Sequence, residues 1–208
     1  IPILVGGTGF YIQAVLNDIA FTKENKDSDE RLRIYLTYKI VIKNESTIPF
    51  VKVKGLRNYS DADLDFVDSY IENGTSTDAK VTWKNVGKTS DSKRNIWQSG
   101  EIDTFVEPGK LKTIYLKFEL KTDAICKLAD LKANGGEVRI VGNTTEITAY
   151  SSYDSNKNAY AGIDMDAAPG NISYGDISTY EDDTDSTPDL KIMRKDPKVV
   201  SGLVFEDE

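Results

Sequence analysis

A chain of 208 residues with 39% apolar side chains has material for one good core or two small ones, and its 34 acidic against 26 basic groups leave a net charge of −8. The absence of histidine excludes Ser-His-Asp and Cys-His catalysis, imidazole metal sites and histidine pH switching. The single cysteine, Cys126, can form neither an internal disulfide nor a paired-thiolate metal site, and no apolar run approaches the roughly 18 residues of a membrane-spanning helix.

The first segment, residues 1–30, opens on the apolar run Ile1 to Val5, turns at Gly6-Gly7-Thr8-Gly9, and continues with Ile12, Val15, Leu16 and Ile19 at helical spacing. This predicts a short strand-helix leader, ending in a charged linker over Phe21 to Glu30. Belonging to a parallel-sheet unit, such a leader is expected to pack apart from the rest of the chain. From Leu32 the period changes to two: Leu32, Ile34, Leu36, Tyr38, Ile40 and Ile42 alternate with Arg33, Tyr35, Thr37, Lys39, Val41 and Lys43, which gives one buried and one wet strand face.

Further strands are predicted at Phe50 to Val53, Leu64 to Ile71, Ala79 to Val86, Ile102 to Val106, Leu111 to Leu120 and Val138 to Ala149. Turn signals at Asn73-Gly74, Ser99-Gly100, Pro108-Gly109 and Gly135-Gly136 separate them. Only Asp123 to Ala133 suggests a short helix, in which Cys126 is expected to be a small buried residue. Residues 31–150 therefore read as an all-β, antiparallel sandwich. Asp61, Asp63, Asp65 and Asp68 cluster near a strand start, where a solvated edge that discourages pairing between sheets is the expected role.

Residues 151–208 form an acidic, mostly irregular C-terminal extension read as a tether. From Ser152 onward there are 13 acidic and 5 basic residues, so the whole net charge lies here while the preceding 151 residues balance. With no cationic footprint, a nucleic-acid partner is not expected. Asp183, Asp185, Thr187 and Asp189 place oxygens at alternating positions, and Asp164, Asp166 and Asn171 flank the Pro169-Gly170 turn. Hard oxygen donors on flexible backbone suit calcium as a weakly bound cofactor, although neither cluster is an EF-hand, and a self-repelling acidic linker is the plainer reading.

The segment carrying Leu36 to Asn44, Trp83, Val106-Glu107-Pro108-Gly109-Lys110 and Val141 to Ile147 resembles the conserved repeat domain of bacterial cell-surface proteins. That resemblance implies an Ig-like sandwich. The acidic segment, ending in Ser201-Gly202-Leu203-Val204-Phe205-Glu206-Asp207, is similar to stretches of clostridial-type cell-wall proteins that lead into an Sdr- or Cna-type B repeat. Together these resemblances imply a non-catalytic stalk, spacer or adhesive module at an extracellular bacterial surface. Its partners would be neighbouring domains of the same protein or a host or cell-wall ligand, with no membrane insertion within the chain. A peptide- or glycan-binding domain is the alternative within that class.

Separately, Pro2-Ile3-Leu4-Val5-Gly6-Gly7-Thr8-Gly9-Phe10-Tyr11-Ile12 resembles a segment of bacterial tRNA dimethylallyltransferase, in which the threonine matching Thr8 lies at the catalytic centre. The phosphate loop and catalytic aspartate motif of that family have no counterpart here, so the resemblance leaves Thr8 with no chemistry to join. Surface sandwiches can also carry a lysine-asparagine crosslink, for which Lys39 and Asn143, with Glu107 or Glu119 as the acid, are the candidates. Lys39, however, has the polar parity of its strand.

Overall fold

The computed structural model describes residues 10–26, 29–46, 50–72, 79–102, 105–133, 135–160, 168–172, 181, 183–194 and 203–207. The opening glycine turn with Thr8, and Asp164 and Asp166, lie outside them. In chain order the elements are β1 (Phe10–Lys26), β2 (Asp29–Asn44), β3 (Phe50–Asp61), β4 (Leu64–Glu72), β5 (Ala79–Lys80), β6 (Trp83–Lys88), β7 (Arg94–Ser99), β8 (Phe105–Val106) and β9 (Leu111–Leu120). After them come α1 (Thr122–Ala129), β10 (Glu137–Ile140), β11 (Thr144–Tyr153), β12 (Thr184–Ser186), β13 (Leu190–Arg194) and β14 (Leu203–Asp207).

Among the described residues every strand pairing is antiparallel. One sheet runs β1-β2-β9-β4-β5 and a second β12-β11-β3-β7-β6, with β8 added to β3, while β10-β13-β14 form a third, small sheet. The fold is the expected all-β antiparallel sandwich.

The period-two segment of β2 behaves as its sequence dictates: Ile34, Leu36, Tyr38, Ile40 and Ile42 are all buried, and only Leu32 at its start stays exposed. They meet Ile114, Leu116, Phe118 and Leu120 of β9, Leu64 and Ile71 of β4, and Val51, Val53, Leu56 and Ile147 from the opposing sheet in one core. An aromatic bridge spans the layers. Phe66 contacts Trp97 at 5.5 Å and Phe118 at 5.8 Å between centroids, with the indole N–H groups of Trp83 and Trp97 donating to Ser69 and Ser60.

Several expectations are corrected. The helix over Ile12 to Ile19 is strand: β1 runs antiparallel along the whole of β2, from Phe10 opposite Asn44 to Lys26 opposite Asp29. A bulge at Asn17 sets Leu16 opposite Tyr38 but Ile19 opposite Leu36. One extra residue in a two-residue alternation thus produces the spacing Ile12, Leu16, Ile19, which mimics a helical face. Leu16 and Ile19 pack on the core, so the leader is not separate from the sandwich.

The C-terminal extension is not merely a tether. Thr184–Ser186 pair with β11, residues 190–193 pair with β10, and Ile192 is fully buried in the main core. Open sheet edges take up such segments through main-chain hydrogen bonds, which composition does not register. Cys126, expected buried, is exposed, because α1 turns Ala124 and Leu128 inward. The predicted strand at Ala79 to Val86 is split, and β7, which no sequence pattern announced, pairs with both β3 and β6.

Candidate functional site

Of the residues proposed from sequence as calcium ligands, Asp164 and Asp166 lie outside the described residues and the others have partners within the chain. The hydroxyl of Thr187 accepts a hydrogen bond from the Asn143 amide at 2.8 Å, and the Thr187 amide donates to the Asn143 carbonyl at 2.8 Å. Asp189 Oδ1 accepts from the Gly142 amide at 2.7 Å. Asp183 is buried just before β12 and its carbonyl accepts from the Ile147 amide, while Asp185 stands opposite Thr145 in the strand. Asn171 donates its side-chain N–H to Glu181, which also holds the Ala168 amide.

Thr187 and Asp189 fasten the tail to the β10-β11 loop, and Asp183 and Asp185 lie along β11. Of this stretch only Thr184–Ser186 are strand, where residues two apart are separated by about 7 Å. Among the described residues no three carboxylate or thiol groups converge as a metal site.

The other side of that loop is held by Asp61, whose carboxylate accepts from the Asp63 amide at 2.7 Å and from the Val141 amide at 2.7 Å. Asp61 is buried, which pushes its carboxyl above the usual range against the opposing pull of these two amide donors. It is a staple rather than part of a solvated edge. Asn58 and Asn143 exchange side-chain amide hydrogen bonds at 2.6 and 3.1 Å. The crosslink candidates are therefore apart: Asn143 is committed to Asn58, Lys39 lies on the other sheet opposite Tyr115, Glu119 pairs with Arg33, and Glu107 is exposed.

Across β11, β3 and β7, the face turned away from the main core carries a connected polar group that sequence reasoning missed. Glu146 is 1% exposed; its Oε1 accepts from Tyr59 Oη at 2.7 Å and from Arg57 at 3.1 Å, and its Oε2 accepts from the Ile172 amide at 3.3 Å. Burial raises the Glu146 carboxyl above the ordinary glutamate range, opposed by Tyr59 and Arg57, and burial likewise raises the Tyr59 phenol.

Arg57 Nε reaches Gln98 Oε1 at 3.2 Å, and Gln98 Nε2 reaches Thr148 Oγ1 at 3.2 Å. Residues 168–172 lie over this group, with Ile172 packed on Tyr59 and Ile96, and the Gly170 amide donating to the Ile147 carbonyl. The only sequence signal was parity: Thr144, Glu146 and Thr148 alternate with Thr145, Ile147 and Ala149. Alternation shows that they share a face but not that a distant segment covers it.

The solvent face of the first sheet carries three half-buried tyrosines. Tyr70 and Tyr115 stack on each other at 4.8 Å with 22° between planes, and the ring of Tyr35 is capped by Lys117 Nζ at 4.3 Å. Ion pairs Arg33–Glu119 and Lys80–Asp68 lie around them.

Comparison with known proteins gives two unlike sets of similarities. Residues 1–49 match the family model described as IPP transferase. A tRNA dimethylallyltransferase of Lachnoclostridium phytofermentans is 64% identical over 31 residues, which are 15% of this chain and 10% of that enzyme. The chain thus spans only about a tenth of the length of the curated relative it matches. Among solved structures, a family 3b carbohydrate-binding module from the biomass sensing system of Clostridium clariflavum aligns with a TM-score of 0.37 and 14% identity, covering 57% of this chain and 74% of that one. A CBM3a-L domain from scaffoldin cipA of Clostridium thermocellum aligns with a TM-score of 0.34 and 11% identity, covering 56% and 69%.

Proposed function

We propose that this chain is a non-catalytic structural module of an extracellular bacterial surface protein, a spacer that holds neighbouring domains apart. The observation that supports it most is the use to which the buried polar groups are put. Asp61, Thr187, Asn58, Asn143 and Glu146 bind main-chain or side-chain groups of the chain's own loops and tail. The ends of the described chain are tied in the same way, β1 along β2 and β12 and β13 along β11 and β10. A transferase reading of the start is disfavoured, because from Phe10 onward the matched segment forms two strands of the sandwich.

Within the same class, the tyrosine-bearing face of the first sheet motivates a second reading, a glycan- or peptide-binding surface. Against it, the rings of Tyr35, Tyr70 and Tyr115 already face partners within the chain. Binding assays of the purified chain against cell-wall polysaccharides, plant polysaccharides and matrix proteins separate the two. The spacer reading expects no saturable binding. Saturable binding lost in Tyr70→Ala or Tyr35→Ala would replace it with the binding reading.

A further inference from the structure

Where β8 joins the second sheet, three strands and a turn bring cations to one aromatic ring. Phe105 on β8 stands opposite Lys52 on β3, and Lys52 stands opposite Ser151 on β11, two residues before Tyr153. Side chains directly opposite or two apart share a face, so these lie together on the side of the sheet turned away from buried Val51 and Val53. Phe105 and Tyr153 meet edge to face, with centroids 5.1 Å apart and planes at 75°. Lys52 Nζ lies 5.8 Å and Lys157 Nζ 5.4 Å from the Phe105 centroid, within range of the attraction between a cation and an aromatic ring. Lys54 is the extra residue of a bulge in β3, between Val53 opposite Tyr150 and Gly55 opposite Ala149, and it reaches the same carboxylate as Lys52, that of Glu101.

Lys157 has φ 64, a left-handed conformation whose ordinary occupant is glycine or asparagine. Asp154 holds it there: the Asp154 carboxylate accepts from the Asn156 and Asn158 amides at 2.8 Å, and its carbonyl accepts from the Lys157 amide at 2.9 Å. The turn after β11 therefore maintains backbone strain at the residue that carries an ammonium group to the ring. Among the described residues no carboxylate pairs with Lys157. Lys52 and Lys54 each hold Glu101 at 3.4 Å, a long approach for a charged pair, and Glu101 is 55% exposed, so another carboxylate can take its place. Glu101 also shows what kind of group fits, a carboxylate carried on a peptide. A sugar ring stacks on a flat aromatic face and a polysaccharide needs several such faces in one plane, whereas rings at 75° make a corner for a single side chain.

We propose that this corner docks an acidic peptide segment of a neighbouring domain. An apolar or aromatic side chain of the segment enters beside Phe105 and Tyr153, and its carboxylates pair with Lys157 and, in exchange for Glu101, with Lys52 and Lys54. The inference rests on the spacer reading for the source of the segment, since the standing partners of a spacer are its neighbours. Ammonium groups around an aromatic corner complement acidic stretches of the kind this chain itself carries at Tyr180-Glu181-Asp182-Asp183, where a tyrosine precedes three carboxylates.

The test is fluorescence anisotropy of a labelled peptide with the sequence of residues 178–183, Ser-Thr-Tyr-Glu-Asp-Asp, titrated with the full chain at low salt. The net charge of −8 repels such a peptide overall, so saturable binding reports a local site. The peptide should saturate, should be released as salt rises to about 0.5 M, and should not bind when Gln-Asn-Asn replaces its three acids. Lys157→Glu should weaken binding at least about tenfold. Lys157→Gly should weaken it too while leaving the melting temperature unchanged or higher, because glycine suits the left-handed turn. Glu101→Gln should tighten binding about two- to fivefold by removing the competing carboxylate. Absence of saturable binding at low salt overturns the inference, and so does binding that both Lys157 variants leave unchanged. Polygalacturonate that binds as tightly as the peptide and with the same dependence on Lys157 also overturns it, in favour of an acidic polysaccharide. The spacer reading fails separately, on polysaccharide binding that depends on Tyr70 or Tyr35.

Discussion

The carboxylate of Glu146, shared among Arg57, Tyr59 and the Ile172 amide, has a stability consequence with a definite sign. Its folded pKa is raised, so the folded state holds the proton more tightly than the unfolded chain. That contribution is fully present below the ordinary glutamate value and is lost as pH rises through the raised one; Asp61 acts in the same direction. Glu146→Gln should therefore compare least favourably with the native protein at acid pH and recover relative to it as the pH rises, because only the native carboxyl then has to ionise in a buried site. Its stability should also fall less steeply between about pH 4 and 7, as read by urea denaturation at a series of pH values. A parallel pH dependence in variant and native protein would show that Glu146 does not titrate in this window. At Gly142 the constraint is steric: any Cβ would collide with the Thr187 carbonyl, so Gly142→Ala must shift the tail strand. A loss of about 1–3 kcal/mol is expected in the same assay, with the Asn143 amide losing hydrogen-exchange protection.

Among elements, β1 and α1 show how pairing and packing override local pattern. The pairing of β1 along β2, with Leu16 and Ile19 on the core, means that removing residues 1–26 strips a whole strand and opens a long edge on β2. Each buried aliphatic side chain contributes roughly 1.5–3 kcal/mol. The truncated chain should melt well below the full one and self-associate, which calorimetry with sedimentation would register; an unchanged melting temperature would contradict the pairing. In α1 the amphipathic stripe is only Ala124 and Leu128, and this places Cys126 outward. A thiol reagent should accordingly titrate Cys126 in the folded protein at the rate found in denaturant. Slow labelling that tracks unfolding would return Cys126 to the interior.

For the whole molecule, the decisive feature is that the acidic extension folds back, adding β12 to one sheet and β13 beside β10, with Ile192 in the common core. Limited proteolysis in the presence of a chelator should leave residues 183–194 attached to the sandwich, whereas early cleavage within them would restore the tether. The class of fold was legible in the residues alone, because the alternation of Ile34 to Ile42 and of Ile114 to Leu120 commits one face of each strand to burial whatever lies opposite. So were the exclusion of histidine chemistry and the location of the excess charge. The fate of the segments at either end and the membership of the polar cluster became visible only in the folded chain. The bulge at Asn17 disguised a strand as a helical face, and main-chain pairing at an open edge leaves no mark in composition. Arg57, Gln98, Glu146 and Thr148 come from three strands up to 91 positions apart in the chain, and they meet because Gly55 leaves a gap between them. No local pattern encodes such a meeting, since register between strands is fixed by the packed core as a whole.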